Sequence, residues 1–257
     1  MWKERKVLVG ADELVLHEAG EGRPLLVLHD ELGPAAWLGW HEKLAQHRRL
    51  IMPVQPGARA DRIGWIRSVR DLAFFYGRFL REATLGPIDA IGFSFGGWVA
   101  AEMAVANPAQ FAKLALVSPF GIKPSEGFIM DMFPMSANDY IRASVTNADA
   151  IAEFANLYGT PGPEQFEAFE DARTEVARLG WEPYMFDPSL DSLLTGVGGL
   201  PAIVLGGDKD AILPDAALHA FARAIPDCRL KIFEGCGHRP EIEKRDEFVK
   251  TLVRFLD

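Results

Sequence analysis

Cysteine is scarce in this chain: only Cys228 and Cys236 occur among 257 residues. Two thiols so close in sequence make no disulfide framework, and no His or Cys spacing around them suits a zinc site, so both read as reduced thiols. Long hydrophobic runs are missing too. The opening MWKERKVLVGADELVLHEAG has basic residues, but its apolar stretch is far too short for a signal-peptide core, and no segment could span a bilayer. The expectation is a cytoplasmic protein without a membrane partner. Positive charge is in short supply, with 27 Lys and Arg against 36 Asp and Glu and a formal net charge of -9. Nucleic acids and anionic membrane surfaces are bound by concentrated basic faces, so small molecules are the expected partners. No internal repeat or low-complexity tract is found, and assembly as a homo-oligomer is left open.

What is present is an ordinary globular composition, 49% hydrophobic and 25% charged, in a chain long enough for one large α/β domain with an insertion or for two small domains. The first fifty residues alternate β-rich runs with turn signals: KVLV, ELVLHEAG, PLLVLH and RRLIMPV. A run such as LLVL, apolar at every position, suits a strand covered on both faces. From about residue 66 the period becomes helical in IRSVRDLAFFYGRFLREA. A strand IDAIGF, a helix GGWVAAEMAVANP and a strand KLALVSP follow. This βαβαβ rhythm implies a mostly parallel sheet flanked by helices. It breaks over 121–195, a Met-, Phe- and Asp-rich stretch with helical patterns in ADAIAEFANLYG and PEQFEAFEDARTEVARLG. It resumes with PAIVLGG, PDAALHAFARAIP, RLKIFEG and EFVKTLVRFLD. The expected organisation is a core of residues 1–120 and 196–257 with a helical lid, 121–195, inserted in it.

The turn after IDAIGF reads GFSFGG, so Gly92, Ser94 and Gly96 fit G-x-S-x-G. As a bare pattern this is weak. Between a strand and a helix it is what a nucleophile elbow needs: a tight turn, small flanking residues and a hydroxyl lifted clear of the sheet at a helix N-terminus. Serine is a poor nucleophile at neutral pH and needs a base and a group to orient that base. Both follow in order. GDKDAILP after one strand holds Asp208 and Asp210, and GCGHRP after the next holds His238.

With these motifs the chain resembles the α/β-hydrolase superfamily, over nearly its whole length outside the insertion. The matching elements are His29 to Gly33 as an HxxxG loop, Pro56-Gly57, the GFSFGG elbow, G-x-x-D-x-x-x-P from Gly207 to Pro214, and G-x-G-H-x-P before the last helix. The resemblance implies the α/β-hydrolase fold and a catalytic triad of Ser94, Asp210 and His238, since the orienting acid of the family stands four residues before the Pro. Asp208 is then left to cap or fix its turn. Backbone N–H groups of Phe95 and Glu31 are the expected oxyanion donors. His29 supports the oxyanion loop through hydrogen bonds, and His17, His41, His47 and His219 have no motif context. Cys236 reads as a small packing residue, and no cofactor is called for.

A serine at the elbow excludes relatives with an Asp nucleophile but leaves esterases, lactonases, thioesterases and carbon-carbon hydrolases. Residues expected at the substrate are His29 and Asp30 from the loop and Trp181 and Met185 from the insertion; its Met- and aromatic-rich lining suggests a partly apolar substrate. FDPSLDSLL and the lid position resemble hydrolases of aromatic ring-fission products, which implies an Arg for the substrate carboxylate, with Arg142, Arg173 and Arg178 as candidates. The primary expectation is an ester or lactone hydrolase. The carbon-carbon hydrolase and a ligand receptor on the same fold are the alternatives.

One stretch departs from the family pattern. Relatives carry H-G-x-G where this chain has His29, Asp30, Glu31, Leu32 and Gly33. HDEL is an endoplasmic-reticulum signal only at a C-terminus, and here it is internal. A carboxylate about 5 Å from an oxyanion, at an effective dielectric near 20, repels it by roughly 3 kcal/mol. Three arrangements avoid that cost: the acids turn outward, they are paired, or one enters the pocket to serve the substrate.

Overall fold

The computed structural model describes residues 1–58 and 60–257. Strands β1 (Lys3–Val9) and β2 (Asp12–Ala19) form a hairpin, and β3 (Pro24–Leu28) leads through α1 (Gly39–Leu44) to β4 (Arg49–Pro53). Helix α2 (Val69–Glu82), β5 (Ile88–Phe93), α3 (Phe95–Ala106) and β6 (Phe111–Val117) follow. The sheet resumes at β7 (Ala202–Gly207), α7 (Asp215–Ala224) and β8 (Arg229–Phe233), and the chain ends in α8 (Pro240–Glu243) and α9 (Arg245–Leu256). The eight strands lie in the order β1-β2-β4-β3-β5-β6-β7-β8. Only β2 runs antiparallel to its neighbours; from β4 onward the pairings are parallel.

Burial explains this order. Leu25 to Leu28, all of β5 and all of β7 are buried, as runs without alternation must be when helices cover both faces. Amphipathic α2 sends Leu72, Phe75, Tyr76 and Phe79 inward and is started by Ser68, whose hydroxyl accepts from Asp71 N–H at 3.1 Å. Helix α3 is apolar nearly all round and lies buried behind the elbow.

Between β6 and β7 the segment 121–195 carries α4 (Ala137–Ala143), α5 (Pro163–Gly180) and α6 (Leu190–Leu194). Its one sheet-like contact among the described residues is a bridge between Gly121 and Phe186. Helix α5 occupies the predicted stretch. ADAIAEFANLYG does not form the helix its period suggests and makes only two short 3-10 turns, Ala148–Ala150 and Phe154–Asn156. Ile151 is extended between them, and Leu157 is drawn to the core, its carbonyl accepting from Ala36 N–H at 2.8 Å. Tertiary contacts here override a weak local preference.

Candidate active site

The site is built on the ends of β5, β7 and β8 and on the loop after β3. The β5–α3 turn is forced into shape by its glycines. A Cβ on Gly92 would stand 2.4 Å from the Gly96 carbonyl oxygen, and one on Gly96 would stand 2.4 Å from those of Leu28 and His29. Between them Ser94 adopts φ 49, ψ -111, a costly region for a residue with a side chain. Its backbone pays back through neighbours: its N–H donates to Val117 O at 2.8 Å, and its carbonyl accepts from Gly97, Trp98 and Phe120 N–H groups.

The three residues expected as a triad meet. Ser94 Oγ lies 2.9 Å from His238 Nε2, and His238 Nδ1 lies 2.7 Å from Asp210 Oδ2. Asp210 Oδ1 accepts from the N–H groups of Ile212 and Leu213 at 2.8 and 2.9 Å, which fixes the carboxylate toward the imidazole. Asp208 instead accepts from Cys236 N–H at 3.3 Å and ties the two loops together. Cys236 is fully buried, and burial with Glu243 nearby pushes its thiol far up, so it stays a protonated packing residue. Burial pulls His238 down, but the charge and hydrogen bond of Asp210 and the charge of Glu31 outweigh it, and the imidazole is raised above its ordinary value.

Of the two expected oxyanion donors, Phe95 N–H is the first of α3 and has no acceptor within the helix, and Glu31 lies in the loop after β3. The loop is held by His29: its Nε2 accepts from Gln55 N–H at 3.0 Å, which leaves Nδ1 to donate to Asp30 O at 2.8 Å. His29 thus braces the loop.

The acids do not turn outward: Asp30 is 7% and Glu31 1% exposed. Asp30 Oδ1 accepts from Leu32 N–H at 2.9 Å, and Oδ2 accepts from Arg239 Nη1 at 2.7 Å and from the Tyr158 hydroxyl. Burial alone would raise the Asp30 carboxyl, but Arg239 and these hydrogen bonds outweigh it and hold it below its ordinary value. With both oxygens taken by protein donors, Asp30 is a strut of the loop. Glu31 Oε1 accepts from the Tyr140 hydroxyl at 2.7 Å, while its Oε2 is buried without a partner among the described residues. Burial and Glu31 push Tyr140 well above the ordinary phenol value, so it remains a donor.

Helix α4 and its end reach into this centre. Ser144 accepts on its carbonyl from His238 N–H at 2.9 Å and on its hydroxyl from Arg239 Nε at 2.7 Å. Of the residues of the 121–195 segment expected at the substrate, Trp181 is 52% exposed and packs edge-on to Phe133, whereas Met185 is buried near Gly180. Tyr140, Ser144, Tyr158 and Arg239 were not singled out from the sequence. Tyr140, Tyr158 and Arg239 lie 109 to 209 residues from the acids they serve, and the only available signal was the demand of two buried acids for donors. Among the described residues no cluster of His, Cys, Asp and Glu is placed to hold a metal ion, and no helix is long and apolar enough to cross a membrane.

Comparison with known proteins agrees with this fold. Residues 16–251 match the model of the alpha/beta hydrolase family. The 2-hydroxymuconate semialdehyde hydrolase of Pseudomonas putida is 27% identical, with 98% of this chain and 93% of that protein covered. The 2-hydroxy-6-oxo-2,4-heptadienoate hydrolase of the same species is 23% identical over 98% and 95%. Among solved structures, a putative lipase from Acinetobacter baumannii superposes with a TM-score of 0.82 at 23% identity, covering 99% of this chain and 91% of that one. The 2-hydroxy-6-oxo-6-phenylhexa-2,4-dienoate hydrolase of a Rhodococcus species has a TM-score of 0.78 at 17% identity, covering 100% and 99%. All are hydrolases or named as such, and hydrolase activity is the level at which they agree. The chain belongs to the alpha/beta hydrolase family.

Proposed function

We propose that this protein is a serine hydrolase that cleaves modest-sized carboxylic esters or lactones through an acyl-enzyme. The observation that carries the reading is the unbroken series from Ser94 Oγ to His238 Nε2 at 2.9 Å and from Nδ1 to Asp210 at 2.7 Å. His238 takes the proton of Ser94 as Oγ attacks the carbonyl carbon, and Asp210 holds and stabilises the imidazolium. Phe95 and Glu31 N–H groups receive the oxyanion. Collapse expels the alcohol, which takes the proton from His238, and water activated by the same imidazole releases the acid. Ser94 is 2% and His238 4% exposed, so substrate reaches them when the 121–195 segment, acting as a lid, shifts.

The names of the two Pseudomonas relatives favour a second reading, carbon-carbon hydrolysis of ring-fission products. An anionic dienoate needs a cation at the site. Arg142 pairs with exposed Asp149, Arg173 with Glu170 and the carbonyls of Met132 and Phe133, and Arg178 with Glu175 and Ile66 O. Arg239 is neutralised by Asp30, and the free oxygen beside the loop belongs to a carboxylate, Glu31. These commitments support the ester or lactone reading. The test is turnover of short p-nitrophenyl esters and aryl lactones against a dienoate diketone, with Ser94→Ala as control. Esters or lactones should be preferred and Ser94→Ala should lose at least about a thousandfold. Preference for the diketone overturns the substrate class, and full activity of Ser94→Ala overturns the serine mechanism.

A further inference from the structure

We infer that the side chain of Glu31 is a substrate-recognition group, whose free oxygen Oε2 binds a hydroxyl or protonated amine carried close to the scissile carbonyl. The inference rests on the serine-hydrolase reading and gives it a substrate class.

Three observations converge on it. The residue is 1% exposed, yet Oε2 meets no donor among the described residues. A buried carboxylate oxygen left bare costs stability, which is retained where function uses it. Next, the carboxylate is aimed and held: Tyr140 donates to Oε1 at 2.7 Å, and a phenol kept protonated by burial cannot release it. Finally, it stands among the reacting groups. Its backbone N–H is the proposed oxyanion donor, its loop packs on the elbow where the His29 carbonyl faces Gly96, Tyr140 touches it, and its charge acts on His238, Arg239, Tyr158 and Tyr184. None of these fills Oε2. Arg239 gives Nη1 to Asp30 and Nε to Ser144 while its Nη2 bonds neither Oε2 nor any other described group, Tyr158 donates to Asp30, and Tyr184 donates to Met130 O while accepting from Met132 N–H.

The chemistry of the vacant acceptor defines its ligand. A carboxylate oxygen accepts and never donates while ionised, so it selects a donor and repels an anion. A substrate hydroxyl or ammonium also offsets the repulsion that a bare carboxylate exerts on the oxyanion. Substrate and oxyanion are then stabilised by one loop, through its side chain and its backbone.

The experiment is a matched set of methyl esters followed by proton release: butyrate, 3-hydroxybutyrate, 3-aminobutyrate and the monomethyl ester of succinate. In the wild type, kcat/KM for the hydroxy and amino esters should exceed that for butyrate, and the succinate ester should be poorest. Glu31→Gln keeps the shape and an acceptor toward Tyr140 but removes the charge. It should reduce the amino-to-butyrate ratio by roughly 10- to 100-fold and improve the succinate ester. It should also move the acid limb of the pH profile to lower pH, because one contribution raising His238 is gone. Tyr140→Phe, which frees Oε1, should blunt the same ratio without reversing it. Unchanged ratios in Glu31→Gln overturn the inference and mean that solvent alone satisfies Oε2. That result leaves the serine reading intact if Ser94→Ala is still dead. If the wild type turns over none of the four, binding of the amino ester to Ser94→Ala and to Ser94→Ala/Glu31→Gln by saturation-transfer NMR decides. Binding lost with Glu31 supports the recognition role, and binding that ignores Glu31 overturns it.

Discussion

Replacing Asp30 by Ala should be among the most damaging single changes outside the hydrophobic core. Asp30 and Arg239 are 7% and 5% exposed, and their 2.7 Å contact is the only ion pair of Arg239 among the described residues. Removing the carboxylate takes away the one ion-pair contact of a buried guanidinium whose Nη2 is already unpartnered among the described residues, and strips an acceptor from Leu32 N–H and the Tyr158 hydroxyl. Breaking a buried pair in this one-sided way costs about 3–5 kcal/mol. In a domain of this size each kcal/mol is worth about 2–4 °C, so the melting temperature should fall by roughly 10 °C at pH 7. The companion variant Asp30→Ala/Arg239→Met removes both charges and should regain at least half of that loss, since replacing a pair outright is far cheaper than orphaning one member. Urea denaturation of the wild type, both single variants and the double closes the cycle. A loss under about 1 kcal/mol for Asp30→Ala, or additive effects in the double, would refute the reasoning, because the pair would then behave as a solvated one.

Three further outcomes are expected. Gly96→Ala places a Cβ 2.4 Å from two backbone carbonyl oxygens, so it should fail to express in soluble form or lose several kcal/mol in denaturation, whereas Gly198→Ala, in open space, should cost little. Burial raises the Glu241 carboxyl to about 7, against the relief offered by Arg239. Its contribution to stability is complete below the unfolded value and is lost as pH rises through about 7, so Glu241→Gln should gain about 3 kcal/mol on wild type between pH 4.5 and 8, and a flat difference contradicts this. Asp210→Asn should keep the fold but lower kcat by about 10⁴-fold, because an amide no longer fixes the productive His238 tautomer; loss of under tenfold at neutral pH would count against Asp210 as the orienting acid.

Much of the architecture was legible because burial on both faces leaves a local trace. LLVL, IDAIGF and AIVLGG carry no alternation and became the central strands, and the glycines around Ser94 announced a turn that only small residues permit. Ser94, Asp210 and His238 could be named since each sits in a short motif at the end of a strand. The environment of the acids could not. Asp30 and Glu31 depend on Tyr158, Tyr140 and Arg239, which the fold brings from α4, from the loop after it and from the residue following His238. No spacing rule links such positions. The stretch 148–159 misled in a related way, its helical period yielding to the burial of Leu157 and Tyr158.

The central claim, that Ser94 is a nucleophile activated through His238, is tested most directly by treating the protein with a fluorophosphonate and locating the adduct by mass spectrometry. One equivalent on the peptide containing Ser94, formed about a thousandfold or more slowly in His238→Ala, is the expected result. A protein that turns over an ester while Ser94 stays unlabelled, or that labels equally fast without His238, would contradict it.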